Sequence, residues 1–414
     1  MKVTLPAVQV GTLERTRTGL VKWIPDMAWE QTRQRPRLGI GFLRSPGPRQ
    51  SGTGLLPWFE NLLPEKGSIL REKLCAAHGL KETDSYRLLG ALGVDLSGAV
   101  EVSVATPSSP ASARVFPENA APSDQFRFSL AGMQLKFSMS MVRDKLSLAA
   151  ERGASQWIVK LPGTRHSELP EVEHATMEWA KGAGFDVPPN MVVQTSNLLG
   201  LPTSWIEDVP DAFAIERFDR RVDGSKIHQE DLCQALELLP DHKYGDSGSN
   251  RIGFDGALKF VSDVAGEDQG REMARRIGFV IASGNTDAHL KNWSLLWGNA
   301  DLPTLTPCYD FVSTITWANS YGWELANGPE LGLTLGGARR FSAVSPESLL
   351  ALVKRSGLAW SASEVRSGIE RARDAWASCQ DGMPETMRRE LSKNWMRVPL
   401  LAEMRPNNLS TSTL

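Results

Sequence analysis

The stretch GNTDAHLKN at 284–292 constrains this chain more than any other. It sets an acid, an imidazole, an ammonium and two carboxamides between apolar segments at 277–281 and 293–297. Such groups do not enter a core unpaired. The stretch therefore reads as a polar loop held between two buried elements, the usual seat of catalytic side chains.

The acid and the last amide form Asp287-x-x-x-x-Asn292. A kinase catalytic loop uses this interval for its proton acceptor and a magnesium ligand. On its own the pair carries little weight, since a chain of this length should hold one roughly once by chance. The other parts of a phosphate-transfer site have to be sought elsewhere in the sequence.

With 414 residues the chain can form two or three domains around a large core. A formal charge of −2 gives no global attraction to nucleic acid or membrane. Contact with DNA would then come from a local patch or through a partner. The four cysteines are far apart with no Cys-x-x-Cys pair, which argues against zinc sites and a disulfide framework and suits a reducing cytoplasm. No apolar run reaches the span of a bilayer, and MKVTLPAVQV lacks the apolar core of a signal peptide. The expectation is a cytoplasmic protein with no membrane contact.

Residues 1–105 read as a small α+β unit, with a strand pair at 7–13 and 19–24, helices at 58–63 and 68–78, and a returning strand at 98–104. The Pro-, Ser- and Ala-rich residues 106–125 read as a linker. Residues 126–220 alternate like strands at 134–141, 145–149, 156–161, 191–195 and 212–217. A helix is inserted at 170–184, with Val172, Ala175, Trp179 and Ala183 on one face.

Residues 221–404 are mostly helical. One helix is spaced by Leu232, Ala235, Leu236 and Leu239, and another by Met273, Ile277, Val280 and Ile281. A third is lined by Val365, Ile369, Ala372 and Trp376, and its outer Arg366, Arg371 and Arg373 read first as a solvated face and only second as a nucleic-acid contact. Residues 405–414 read as a disordered tail. Strands with one inserted helix, followed by helices, is the order of a two-lobed kinase, so the expected class is α+β.

Phosphoryl transfer needs a phosphate clamp, a cation, an adenine hinge, a base and metal ligands. The segment from Ser129 through Ala131, Gly132, Met133, Gln134, Leu135 and Lys136 opens onto a strand, and small residues there let backbone amides approach an anion. A glycine turn into a strand is also commonplace. Lys160 ends the apolar run at 157–159 and must snorkel or find a counter-charge, for which Glu173 on the next helix is a candidate. Glu216, Arg217 and Phe218 end a strand in the manner of a hinge, though Arg217, Asp219 and Arg220 read at least as well as a surface salt-bridge cluster. Asp287 suits the base, Asn292 and Asp310 the metal ligands, and His289 and Lys291 the neutralisation of phosphate charge. A transition-metal site on His289 lacks a second histidine at helical spacing.

Taken in order, SLAGMQLK (129–136), WIVKLP (157–162), FAIERFDR (213–220), HQEDLCQAL (228–236), GNTDAHLKN (284–292) and TPCYD (306–310) closely resemble the HipA family, serine/threonine kinases that act as toxins of type II toxin–antitoxin modules. FENLLPE (59–65) and YRLLGALGVDLSGAVEV (86–102) resemble the family's N-terminal subdomain.

The resemblance implies a kinase-like fold of the phosphatidylinositol 3-kinase branch that uses ATP and Mg2+. It maps Asp287 to the catalytic acid, Asn292 and Asp310 to the metal, Lys160 to the ATP lysine and 131–136 to the phosphate loop. It places 216–218 at the hinge and His289, Lys291 and Tyr309 in the nucleotide site. Ser129 falls where family members autophosphorylate, and a phosphate of about −2 charge there would repel ATP. Met133 and Leu135 depart from the small and the polar or acidic residue of the family loop. The family's partners are a helix-turn-helix antitoxin, through which operator DNA is met, and an aminoacyl-tRNA synthetase as substrate. Two rivals remain at this level: a small-molecule kinase sharing the Asp-x-x-x-x-Asn spacing, and a catalytically silent corepressor acting with a DNA-binding partner.

Overall fold

The computed structural model describes residues 1–52, 54–104, 135–142, 145–148, 155–163, 166–201, 203–247, 250–298, 301–318, 320 and 328–406. Ser129, the loop residues Ala131 to Gln134, the 106–125 linker and the tail from 407 lie outside them. The chain forms two compact units. One comprises Met1–Ser167, Val193–His242 and Leu296–Asn299, the other Glu168–Val192, Lys243–Leu295 and Ala300–Leu414.

The first unit opens with strands β1 (Lys2–Leu5), β2 (Val8–Arg15), β3 (Val21–Pro25), β4 (Arg49–Gln50) and β5 (Glu101–Ser103) in the sheet order β4-β3-β2-β1-β5. The expected hairpin forms as β2 and β3, with Leu13 opposite Trp23. β1 was not expected, because a four-residue strand gives too little alternation to register. It pairs with both β2 and β5 and buries Val3 and Leu5. The buried face meets an aromatic cluster in which Trp23 and Phe42 lie 5.4 Å apart edge to face and Trp58 and Phe59 5.1 Å apart.

The same unit holds β6 (Leu135–Val142), β7 (Lys145–Leu148), β8 (Trp157–Leu161), β10 (Leu198–Leu199) and β11 (Asp211–Glu216) in a six-stranded sheet completed by β9 (Asn190–Gln194), in the order β10-β7-β6-β8-β11-β9. Five of these are the predicted strands, shifted by at most one residue at their ends; the two-residue β10 was not expected. β6 and β8 are antiparallel with Lys136 opposite Lys160, and β8 and β11 with Lys160 opposite Phe213. The helix predicted over 232–239 is a single turn, Leu232–Ala235. It stops because Glu237 takes a left-handed φ of 57° and Pro240 opens a new 3-10 turn.

The second unit is helical around Glu267–Ala282, whose Met273, Ile277, Val280 and Ile281 are buried as the spacing predicted. It lies against Ser361–Cys379, with Val365, Ile369, Ala372 and Trp376 inward. Two glycines allow the close approach. A Cβ on Gly278 would stand 2.2 Å from Val365 O, and one on Gly368 would stand 1.8 Å from Arg275 O. On the outer side Arg373 pairs with its neighbour Asp374 at 2.8 Å, and Arg366 reaches Glu403 at 3.9 Å. Among the described residues no helix is long and apolar enough to cross a membrane.

Candidate active site

Helix Glu267–Ala282 delivers the polar loop through a left-handed cap. Gly284 has φ +62°, Gly284 N donates to Ile281 O, and Asn285 N donates to Val280 O at 3.1 Å, the paired bonds of a Schellman motif. A side chain at 284 would also meet Ile315 Cγ2 at 2.6 Å. The loop is then sewn to the segment after Asp310. Ile315 N and Thr314 Oγ1 donate to Gly284 O at 3.1 and 3.2 Å, and Thr286 N donates to Thr314 Oγ1 at 2.7 Å.

Asp287 is half-buried on this frame. Its N–H donates to Asn285 Oδ1 at 3.0 Å, and its Oδ1 accepts the Tyr244 hydroxyl at 2.6 Å. Asn292 Oδ1 accepts His289 N at 2.9 Å, while its Nδ2 faces Asp310 Oδ2 at 3.4 Å. Asp310 has φ +55°, a left-handed conformation for a non-glycine residue and the kind of strain that gathers at functional sites. Its neighbours hold it there. Phe311 stacks on Phe279 at 5.6 Å, and the Tyr309 hydroxyl donates to Lys291 O at 2.8 Å and lies 2.6 Å from Ser294 Oγ.

His289 is buried, and burial first, then the nearby Lys243 charge, pushes its imidazole well below 6.5. The ring is therefore neutral near pH 7, and the cationic role expected for it does not hold.

Among the described residues no three or more His, Cys, Asp or Glu side chains group into a metal cage. A magnesium-nucleotide complex does not require one, since phosphate oxygens and water fill most of its shell and the protein supplies one or two groups. Asn292 and Asp310 stand 3.4 Å apart through Nδ2 and Oδ2. A carboxamide oxygen with one accepted N–H bond keeps a second lone pair. A carboxylate beside a carboxamide is the donor pair of kinase metal sites, so the residues fit.

In the first unit Lys160 is buried, with its ammonium 5.3 Å from the centre of the Phe213 ring. Lys136 shares its face of the sheet and is exposed. At the end of β11, Arg217 N donates to Gln156 O at 2.7 Å. β11 ends at Glu216, and Phe218 lies in the turn that follows, which Arg220 N closes by donating to Arg217 O at 3.3 Å.

The Arg217 side chain is not available to a nucleotide. It donates to Asp219 Oδ1 at 2.9 Å, Asp95 Oδ1 at 3.1 Å and Leu96 O at 3.1 Å, and Arg220 joins Asp95 at 3.0 Å. The cluster expected at the surface is in fact buried and grips the 95–98 loop. Glu173 is buried in the second unit. Sequence reasoning missed Tyr244, Lys243 and Asp95, whose roles arise only from tertiary contact; the neighbouring HQEDLCQAL motif was the nearest signal for the first two.

A polar loop holding an acid, with a carboxamide and an aspartate of left-handed φ side by side next to it, is the candidate active site. The HipA N-terminal domain family matches residues 1–103, and the HipA-like C-terminal domain family matches residues 128–385. The chain belongs to the HipA family. It is similar to "Putative kinase Y4dM" of Sinorhizobium fredii, 34% identical over 399 residues and covering 93% of each chain. It also resembles "Putative kinase" of Haemophilus influenzae, 31% identical over 222 residues, 52% of this chain and 62% of that one. The HipA fold is shared with a solved Shewanella oneidensis toxin–antitoxin complex of HipA, HipB and operator DNA, at TM-score 0.73 and 22% identity over 98% of this chain and 97% of that one.

Proposed function

We propose that this protein is an ATP-dependent serine/threonine protein kinase and the toxin of a type II toxin–antitoxin pair. The observation that carries the reading is the 3.4 Å pairing of Asn292 with Asp310 on the frame that also holds Asp287. In this reading the backbone of Glu216 and Phe218 receives adenine. Lys160, Lys136 and the loop 131–135 receive the phosphates, and Glu173 pairs with Lys160 when the site is engaged. Asn292 and Asp310 hold Mg2+, which when bound neutralises charge on the transferred phosphoryl group. Asp287 accepts the proton of the acceptor hydroxyl as its oxygen bonds to phosphorus and the bond to ADP breaks. His289, Lys291 and Tyr309 are read as further nucleotide contacts.

Ser129 is the proposed autophosphorylation site, and an aminoacyl-tRNA synthetase is the proposed substrate. A helix-turn-helix antitoxin that carries operator DNA is the proposed partner, as HipB and DNA accompany the Shewanella protein. A cytoplasmic location and the 1–105, 126–220 and 221–404 division belong to the same reading. Incubation with labelled Mg-ATP followed by phosphopeptide mapping tests it. Label on Ser129 and on a synthetase is expected. Transfer only to small metabolites would favour a small-molecule kinase, and failure to bind Mg-ATP at all would favour the silent corepressor.

A further inference from the structure

Tyr244 has no part in the reading above, yet its segment touches the polar loop at three points. The Tyr244 hydroxyl donates to Asp287 Oδ1 at 2.6 Å, its ring meets the His289 ring edge to face at 5.4 Å, and Lys243 O accepts Leu290 N at 2.9 Å. Tyr244 and Asp287 lie 43 residues apart in sequence and in the same compact unit. The contact is therefore a product of the fold and not of local turn chemistry.

We propose that Tyr244 is a positioning residue that orients the Asp287 carboxylate for proton acceptance; the proposal rests on the reading of Asp287 as base. Fixing one carboxylate oxygen sets the plane of the group, and with it the direction in which the other oxygen presents its lone pairs. The bond is of the charge-assisted kind, short and strong. A phenol that donates to a carboxylate is favoured in its protonated form, keeps its proton at working pH and does not compete as a base. Its hydrogen bond stabilises the ionised carboxylate, which is the form that must be ready before the acceptor hydroxyl arrives. During transfer the acceptor proton moves to Asp287, while the Tyr244 proton stays on the phenol oxygen. The His289 ring, packed edge to face against the phenol at 5.4 Å, holds it in place.

Tyr244→Phe keeps the ring and its contact with His289 and removes only the hydroxyl. Two measurements are made. The first is spectrophotometric titration of tyrosinate, tractable with 4 tyrosines in the chain. The transition missing from Tyr244→Phe identifies the phenol, and in Asp287→Asn its midpoint is expected to fall by about one pH unit or more, because no carboxylate holds the proton. The second is phosphoryl transfer from Mg-ATP to the chain itself across pH. Tyr244→Phe should lower kcat by about 10- to 100-fold, leave the KM for ATP unchanged and move the acid limb to higher pH.

A loop staple without a positioning role would raise KM along with lowering kcat and leave the limb in place. A wild-type kcat and limb in Tyr244→Phe, or a Tyr244 midpoint indifferent to Asp287→Asn, overturns the proposal. If Asp287→Asn itself transfers at the wild-type rate, the assignment of the base fails and the proposal with it, even where the titration still reports the bond.

Discussion

Lys136 and Lys160 stand directly opposite one another in the β6–β8 ladder, the first exposed and the second buried. Side chains of a cross-strand pair share one face. A nucleotide triphosphate lying on that face would meet both ammonium groups. Mg-ATP at a hundred times its Kd should accordingly stabilise the protein by about 2.7 kcal/mol, read as a rise in Tm. Lys160→Met should fold but lose most of that rise; an equal rise in the variant would remove Lys160 from the phosphate site.

The Arg217 cluster predicts a coupling between the 95–98 loop and β11, the strand proposed as the hinge. Burial pushes the Asp95 carboxyl up, but Arg217, Ser155 and Arg220 outweigh it and hold the group at about 2. Its contribution to stability is therefore present above the ordinary 3.8 and lost as pH falls through about 2. Asp95→Ala leaves buried guanidinium groups short of an acceptor and should destabilise by about 3 kcal/mol, measured by urea unfolding at pH 7. Because Arg217 follows β11 directly, the KM for ATP should rise in the folded fraction. A loss under about 0.5 kcal/mol, the size of an exposed pair, would contradict the cluster's buried role.

Glu230 predicts a pH dependence of the opposite sign. It is buried, with Oε1 accepting Ile40 N at 2.9 Å and Trp297 Nε1 at 3.2 Å and Oε2 accepting Trp58 Nε1 at 3.0 Å. Burial pushes its carboxyl from 4.5 up to about 7 against these three donors. The native state thus binds the extra proton between those values. Stability from this group is fully present below 4.5 and lost as pH rises through about 7, a difference on the order of 3 kcal/mol. Buried His228, pushed down to about 4, acts in the reverse sense between 4 and 6.5 but is common to both proteins. The stability gap between wild type and Glu230→Gln, from denaturant unfolding, should be larger at pH 5 than at pH 8. A gap that does not change with pH would mean Glu230 stays ionised throughout.

Where each side chain's period or chemistry was local, the sequence was enough to read it. Met273, Ile277, Val280 and Ile281 declared the helix leading to the active loop, and the turnover from apolar to polar at Gly284 declared its end. The alternation around Lys136 and Lys160 declared their strands. Long-range chemistry was invisible. Nothing near Tyr244 announces a bond to Asp287, and the 228–236 motif gave no hint that Glu230 would collect three N–H donors from residues 40, 58 and 297. Leu236 and Leu239 extended a helical period that the left-handed Glu237 interrupts. The cationic reading of His289 failed for a related reason, because burial depth is a property of the fold.

The assignment of Asp287 as proton acceptor is tested most directly by phosphoryl transfer from labelled Mg-ATP, measured on wild type and Asp287→Asn at equal nucleotide occupancy set by calorimetry. A fall in rate of about 10²- to 10⁴-fold with nucleotide affinity retained is the predicted result. Transfer by Asp287→Asn at the wild-type rate would contradict it.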